Sequence, residues 1–219
     1  MRAIRLDAVG PAENLRLVEV DIPPLARDGV LIRAAYAGMI YADVEARRGA
    51  YYRETKLPWF PGREVAGIVE AIGADVEGVK PGDRVAALVF GGGCYAEYVH
   101  APRSGADIIA LPDAVSFSQA LVYLINFRLA HILIHAWARV APGARILVHG
   151  AAGGMGAMIL QQAKALGCES IALVRTTQEA AFVAAIGASH VVDILERDYI
   201  DAVRQVTDNA GVAFSFNGV

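Results

Sequence analysis

The segment at residues 145–156, RILVHGAAGGMG, constrains the fold of this 219-residue chain more than any other. Residues 146–148 form a short apolar run that begins and ends with a β-branched side chain, which predicts a buried strand. Glycines follow, and residues 157–166 then place apolar side chains at helical spacing. A strand, a glycine turn and a helix leave the N-terminus of the helix open, where backbone N–H groups can bind a phosphate.

The glycines of this segment form the pattern G-x-x-G-x-x-G, a variant of the dinucleotide-binding fingerprint. A Cβ at these positions would keep a pyrophosphate away from the backbone amides. The pattern is a weak signal alone, but the flanking strand and helix strengthen it. The alternative is a tight turn that binds no ligand. The residues predicted to bind the cofactor here are Gly150, Ala152, Gly153, Gly154, Met155 and Gly156.

Beyond residue 145 the chain alternates between strand and helix patterns, which predicts a parallel sheet with helices on its faces. A doubly wound dinucleotide domain has two βαβαβ halves, and this chain supplies one half and begins the second. Because an unpaired sheet edge is a liability, we expect the sequence to be part of a longer protein. The predicted strands are residues 145–149, 170–174, 190–193 and 212–216, and the predicted helices are residues 153–166, 178–186 and 198–208.

Residues 1 to about 110 show short apolar runs with a period of two, separated by Gly and Pro turns, which predicts a small barrel-like β domain. Ser116 is predicted to cap a helix that begins near Phe117, and a second helix is predicted over residues 129–139. We therefore divide the chain into domains at residues 1–115 and 116–219. The predicted strands of the first domain are residues 1–6, 15–20, 30–37, 64–72, 95–100 and a strand after the turn at residues 81–83, with one helix over residues 41–49.

The composition narrows the possible partners and the compartment. The net charge is −3 and no basic run is present, so nucleic acid is not an expected partner. Polar residues interrupt the longest apolar stretch, near residues 120–138, which argues against a membrane span. Cys94 and Cys168 form neither a C-x-x-C pair nor a disulfide framework, and because the first residues contain no long apolar region we expect no secretory signal. These features predict a reducing, cytoplasmic location.

Three motifs in this order, GREVAG at residues 62–67, KPGDRV at residues 80–85 and VHGAAGGMG at residues 148–156, resemble the medium-chain dehydrogenase/reductase superfamily. The sequence is most similar to its zinc-independent quinone oxidoreductases, the zeta-crystallin and vesicle-amine-transport-like branch. The resemblance implies an N-terminal GroES-like β-barrel catalytic domain, a Rossmann doubly wound parallel sheet that binds NADPH, and a substrate cleft between them. It also implies NADPH-dependent reduction of quinones or α,β-unsaturated carbonyls by a homodimer.

Zinc is not an expected cofactor of this chain. A catalytic zinc site usually has three protein ligands. The resemblance places Ile40 where zinc-containing members have Cys, and Arg63 where they have His, which leaves only the carboxylate of Glu64. His131 and His135 are four residues apart and could share a helix face, but without a third ligand a packed or solvated pair is the favoured interpretation.

Tyrosines are the predicted catalytic residues. Tyr41 matches the position of a tyrosine proposed as proton donor in related enoyl reductases, and Tyr51 and Tyr52 match the position of a tyrosine in the substrate cleft. A phenol is neutral at pH 7 and can donate a hydrogen bond to a developing enolate. The alternative is that these tyrosines only line an apolar wall. Asp43 is predicted to fix the start of the local helix.

Two further positions are predicted to contact the cofactor. Asn126 resembles the family's asparagine on the nicotinamide side, although the family's nearby Thr is Leu129 here. After the second strand of the parallel sheet comes Arg175, followed by Thr176, with no acid at the strand end. A guanidinium there can bind the 2′-phosphate of NADPH, or it is only a solvated surface charge. Glu179 replaces the family's Lys and weakens the NADPH assignment.

Two other functions remain open at this stage. One is a cofactor-binding, non-catalytic sensor or scaffold, which the departures at Ile40, Leu129 and Glu179 favour. The other is an enoyl reductase of one particular pathway.

Overall fold

The structure is a computed structural model that describes residues 1–218. The chain forms two compact units, Met1–Leu124 and Ile125–Val219. The domain boundary predicted from the sequence lies at residues 115/116, and the helix that begins at Phe117 contacts the antiparallel sheet of the first unit. The boundary stays a prediction.

The first unit is built on a five-stranded antiparallel sheet with the order β6-β3-β4-β5-β7, and a separate hairpin joins β1 to β2. One helix, α1, lies between β3 and β4 in the sequence. Apolar side chains at alternate strand positions point to one side of the sheet, which buries Val30, Ile32, Val65, Val85 and Val99. The elements are β1 (Arg2–Leu6), β2 (Leu15–Glu19), β3 (Gly29–Gly38), α1 (Tyr41–Arg48), β4 (Glu64–Ile72), β5 (Arg84–Val89), β6 (Tyr98–Pro102) and β7 (Ala106–Ala110).

Two strands of this unit differ from the sequence prediction. The strand predicted over residues 95–100 begins later, at Tyr98, because the preceding residues bond elsewhere: the amide of Ile4 donates to the carbonyl of Tyr95 at 2.8 Å. Strand β7 was not predicted, and it exists because β5 offers it a full antiparallel register from Val85 to Val89. In both places the pairing partner, rather than the local pattern, decides the strand.

The second unit contains a four-stranded parallel sheet with the order β10-β9-β8-β11. The alternation predicted from residue 145 onward is confirmed. Alternate residues of β8 belong to different cores: Ile146 and Val148 pack in one, and Leu147 packs in the other. Because both faces are covered, the strand reads as a continuous apolar run. The elements are β8 (Arg145–His149), α4 (Gly154–Ala165), β9 (Glu169–Val174), α5 (Thr177–Ile186), β10 (His190–Asp193), α6 (Tyr199–Val206) and β11 (Phe214–Asn217).

Helical turns run from Phe117 to Trp137, where the sequence predicted two separate helices. Ser116 caps this stretch as predicted, accepting a hydrogen bond from the Gln119 amide at 3.2 Å. The stretch is long and apolar enough to cross a bilayer, but by length and composition alone, which core helices of soluble proteins also satisfy. Its parts are α2 (Phe117–Val122), π-helical turns at Tyr123–Phe127, α3 (Arg128–His131) and π-helical turns at Ile132–Trp137.

Candidate functional site

The turn between β8 and α4 is the candidate cofactor site of the second unit. Gly150 turns the chain with φ = 56°, and the amide of Gly153 donates to its carbonyl at 2.9 Å. Gly153 is extended and occupies the N-cap position of α4, and it has no side chain to cap the helix. Gly153 and Gly154 are both exposed. The helix therefore begins with its first backbone amides open.

The amides of Gly154, Met155 and Gly156 are the donors that this turn leaves available. Within residues 1–218, no side chain and no loop carbonyl accepts a hydrogen bond from them. The helix is twelve residues long, and its dipole places partial positive charge at these amides. These observations fit a diphosphate, because an anion satisfies the open donors and the dipole together.

Two glycines of the turn have different physical roles. A Cβ built on Gly156 would lie 2.4 Å from the carbonyl oxygen of Gly150 and 2.7 Å from the Cα of Ala151, so this glycine allows the helix to pack against the turn. A Cβ on Gly153 would be 3.1 Å from the same oxygen, a tight contact but not an overlap. Ala152, which directly precedes Gly153 in the sequence, is half-buried.

Asn126 lies beside the start of α4, as the cofactor prediction requires. A Cβ on Gly154 would be 2.9 Å from its amide nitrogen. The segment is held against α4 because Gln162 donates from Nε2 to the carbonyl of Phe127 at 3.1 Å. Leu129, where the family has Thr, presents an apolar side chain that is 38% exposed. The contact of Asn126 with the cofactor stays a prediction.

The end of β9 carries a capping arrangement that the sequence analysis missed. Thr176 caps α5 by accepting from the amide of Glu179 at 3.1 Å, and Glu179 returns a carboxylate oxygen to the amide of Arg175 at 2.7 Å. In a capping box the Glu would accept from the amide of the N-cap Thr itself; here it accepts from the amide one residue earlier, so the arrangement is a variant of that motif. The T-x-x-E pattern in the sequence was the signal that could have revealed it.

Tyr51 and Arg63 form a pair in the first unit. Arg63 donates from Nη1 to the hydroxyl of Tyr51 at 3.0 Å, and its guanidinium carbon lies 4.8 Å from the Tyr51 ring centroid. The Tyr52 ring is 4.4 Å from the Tyr51 ring. Burial acts to raise the pKa of Tyr51, but hydrogen bonds from Arg63 and Tyr52 and the charges of Arg63 and Arg53 outweigh it, so the pKa of Tyr51 is lowered. From the sequence, Arg63 was interpreted only as the residue that stands where zinc-containing members of the family have His.

Buried carboxylates lie near this pair. Asp43 and Glu64 are 4% and 3% exposed. The hydroxyl of Tyr95 donates to Asp43 at 3.0 Å, and the amide of Ile40 donates to the same carboxylate oxygen at 3.4 Å, which confirms that Asp43 fixes the start of α1. Burial raises the pKa of Asp43, although these two hydrogen bonds and the charge of Arg63 act against it.

The other predicted side chains are more isolated. Tyr41 begins α1 and is 70% exposed, and its hydroxyl bonds to no other described residue. The rings of His131 and His135 lie 4.2 Å apart. Among residues 1–218 no group of three or more His, Cys, Asp or Glu side chains could hold a metal ion. The catalytic role of Tyr41 and the absence of zinc both stay predictions.

The burial of Asp43 gives a testable pH dependence. Because its pKa is raised in the folded state, its contribution to stability is full below the unfolded pKa of about 3.9 and is lost as pH rises through the folded pKa. Asn cannot ionise, and its oxygen can keep both hydrogen bonds while its NH₂ replaces Oδ1, which has no partner among the described residues. We expect the melting temperature of Asp43→Asn, relative to the unchanged protein, to increase from pH 4 to pH 7.

Thermal unfolding followed by circular dichroism at several pH values measures this difference. Asp75→Asn is the matched control, because it removes an exposed ion pair of 2.7 Å with Arg27, which is worth about 0–1 kcal/mol. A melting-temperature difference for Asp43→Asn that stays flat or falls over this pH range contradicts the prediction.

Two protein families match parts of the chain. The family described as alcohol dehydrogenase GroES-like domain matches residues 26–113, and the family described as zinc-binding dehydrogenase matches residues 154–219. The quinone oxidoreductase of Homo sapiens is 34% identical over 214 residues, which cover 97% of this chain and 64% of the human protein. The chain thus spans a little less than two thirds of that relative's length.

Solved structures agree with this assignment. A probable oxidoreductase from Mycobacterium abscessus superposes with a TM-score of 0.92 at 32% identity, covering 100% of this chain and 68% of the other. The Escherichia coli quinone oxidoreductase complexed with NADPH gives a TM-score of 0.91 at 30% identity, covering 97% of this chain and 64% of the other. The predicted fold class, a GroES-like domain and a Rossmann-type parallel sheet, is confirmed. The chain belongs to the medium-chain dehydrogenase/reductase superfamily, in its quinone oxidoreductase branch.

Proposed function

We propose that this chain carries the coenzyme-binding turn and catalytic side chains of an NADPH-dependent oxidoreductase that reduces quinones or α,β-unsaturated carbonyls without zinc. The observation that carries the proposal is the open start of α4, where the amides of Gly154, Met155 and Gly156 have no acceptor among the described residues. The Escherichia coli relative with the same fold was solved with NADPH. Bound NADPH would supply the hydride.

In the proposed reaction, negative charge develops on the substrate oxygen when the substrate accepts the hydride. Residues of this chain would stabilise that charge and donate a proton to the oxygen. The Tyr51 hydroxyl is held by Arg63 at 3.0 Å. A phenol in this position can donate a hydrogen bond, and then a proton, to the oxygen, while the guanidinium stabilises the negative charge left on the phenol. Tyr41 remains the alternative donor, and its exposed hydroxyl is free of competing partners among the described residues.

The zinc-free part of the proposal is supported by the residues present at the family's zinc positions. Ile40 has no ligand atom, and Arg63 carries a fixed positive charge that repels a metal cation. The charge of Arg63 then balances the buried carboxylate of Asp43 in part. The cytoplasmic location, predicted from the cysteines and the N-terminus, and the homodimer, implied by the resemblance, stay predictions.

A second candidate is a protein that binds NADPH without turnover. Leu129 supports it, because an exposed apolar side chain replaces a hydroxyl that could position the coenzyme. Calorimetry with NADPH, combined with NADPH consumption in the presence of a small quinone or enone, separates the two functions. We expect saturable binding and turnover that is unchanged by a chelator such as EDTA. Binding without turnover favours the sensor, and absence of binding contradicts both.

A further inference from the structure

The carboxylate of Glu179 is held at the carboxyl end of β9, although the residue lies one helical turn into α5. One of its oxygens accepts from the amide of Arg175 at 2.7 Å, and its own amide donates to the hydroxyl of Thr176 at 3.1 Å. Glu179 is half-buried. These bonds place a negative charge at the end of the second strand, a position where the sequence alone shows only Arg175.

In Rossmann folds, residues at the end of this strand contact the adenosine ribose of the bound dinucleotide. An acid there accepts a hydrogen bond from the 2′-hydroxyl of NADH, whereas an arginine nearby accommodates the 2′-phosphate of NADPH. This chain has both groups at the same place. The exposed Arg175 guanidinium forms no ion pair with a described residue, so it can bind a phosphate. The carboxylate of Glu179 has the same sign of charge as that phosphate and repels the phosphate.

The hydrogen bonds at the start of α5 keep the negative charge of Glu179 in place. A surface glutamate can usually turn away from an approaching anion, because its side chain is flexible. Here, moving the carboxylate away breaks its 2.7 Å hydrogen bond with the Arg175 amide, directly before the N-cap of α5. The negative charge is therefore part of the helix start rather than a mobile group.

We propose that Glu179 sets the coenzyme preference: its carboxylate offsets Arg175, so the site discriminates little between the two coenzymes and binds NADH as well as NADPH. This inference rests on the proposed function and refines its coenzyme. It is specific to this chain, because it follows from the bond between Glu179 and the Arg175 amide and from the position of both groups at the end of β9.

The test compares two nucleotide fragments that differ only at the ribose 2′ position, adenosine 2′,5′-bisphosphate and AMP. Isothermal titration calorimetry gives their affinity ratio without any need for turnover. Glu179→Gln removes the charge, and its amide oxygen can still accept from Arg175. We expect the ratio to rise about tenfold in favour of the bisphosphate, as removal of one nearby like charge predicts. Glu179→Lys should raise it further.

Two controls and the salt dependence make the result specific. Asp201→Asn removes an exposed acid of α6 and should leave the ratio unchanged. Arg175→Gln should lower the ratio. The gain in Glu179→Gln should shrink at high salt, because exposed charges are screened, and melting temperatures check that α5 remains folded. A ratio that stays the same in both Glu179 variants, while either fragment still binds, overturns this inference alone. If neither fragment binds in any variant, the coenzyme site itself is refuted, and this inference with it.

Discussion

Gly156→Ala is expected to lower the affinity for NADPH by about 100-fold, because a lost hydrogen bond to a charged group costs about 1.5–3 kcal/mol and each step of about 1.4 kcal/mol is tenfold in affinity. The added methyl carbon would lie 2.4 Å from the Gly150 carbonyl oxygen and 2.7 Å from the Cα of Ala151. Both are backbone atoms, so they cannot turn aside as a side chain could. The start of α4 must therefore move away from the turn that aims its amides at the diphosphate.

The same overlap should also reduce stability by about 1–3 kcal/mol, as overpacking typically does. Calorimetry with NADPH measures the affinity, and urea unfolding measures the free energy of unfolding. Gly154→Ala is the control, because its methyl would meet only the side-chain amide group of Asn126, with Nδ2 nearest at 2.9 Å, and that side chain can turn away. We expect a smaller loss there. Equal affinities for Gly156→Ala and the unchanged protein would show that this turn does not bind the diphosphate.

Tyr51→Phe is expected to lower kcat for quinone reduction by about 10²–10³-fold, within the range for removal of a positioned proton donor. The ring and its contact with Tyr52 at 4.4 Å can remain, and only the hydroxyl that bonds to Arg63 is lost. Tyr41→Phe tests the alternative donor in the same assay. Tyr98→Phe, on β6, is a control that removes a tyrosine hydroxyl from the same unit.

Arg63→Gln tests the role of Tyr51 through the pH dependence of the activity. Tyr51 must carry its proton to donate it, so activity should fall as pH rises through the lowered pKa of this phenol. Without the guanidinium, the hydrogen bond and the positive charge that lower the pKa are lost, and the fall in activity should move to higher pH. In Tyr51→Phe the fall should disappear. A pH profile of kcat that is the same for Arg63→Gln and the unchanged protein contradicts the role of this pair.

Local patterns predicted much of this molecule. The strand over residues 145–149 and the strand over residues 190–193 were predicted with the bounds that the structure has, and α4 differs by one residue at each end. These elements have a clear period, and both faces of β8 are buried, so the apolar run alone identifies it. Strand β7 lacked such a pattern, and its existence depends on the register that β5 offers.

The candidate site likewise has parts that the local sequence predicts and parts that depend on contacts between distant residues. The glycine turn could be predicted because its residues are adjacent in sequence and its geometry is set by the backbone. Arg63 could not be recognised as the partner of Tyr51, because the two are separated by twelve residues and a loop, and only the folded chain brings them to 3.0 Å. Glu179 lies between these cases, since the T-x-x-E pattern marks a capping box but does not say that a cofactor is bound there.

The amino-acid sequence by itself determined the order of strands and helices, the glycine turn at the start of α4 and the presence of Ile and Arg, which are not zinc ligands, at positions 40 and 63. These properties depend on residue type and on spacing over a few residues. Tertiary structure alone decided which polar side chains form hydrogen bonds: Arg63 with Tyr51, and Tyr95 with the buried Asp43. Such contacts depend on where distant segments return in space, and burial, which shifts the pKa of these groups, exists only after the chain has folded.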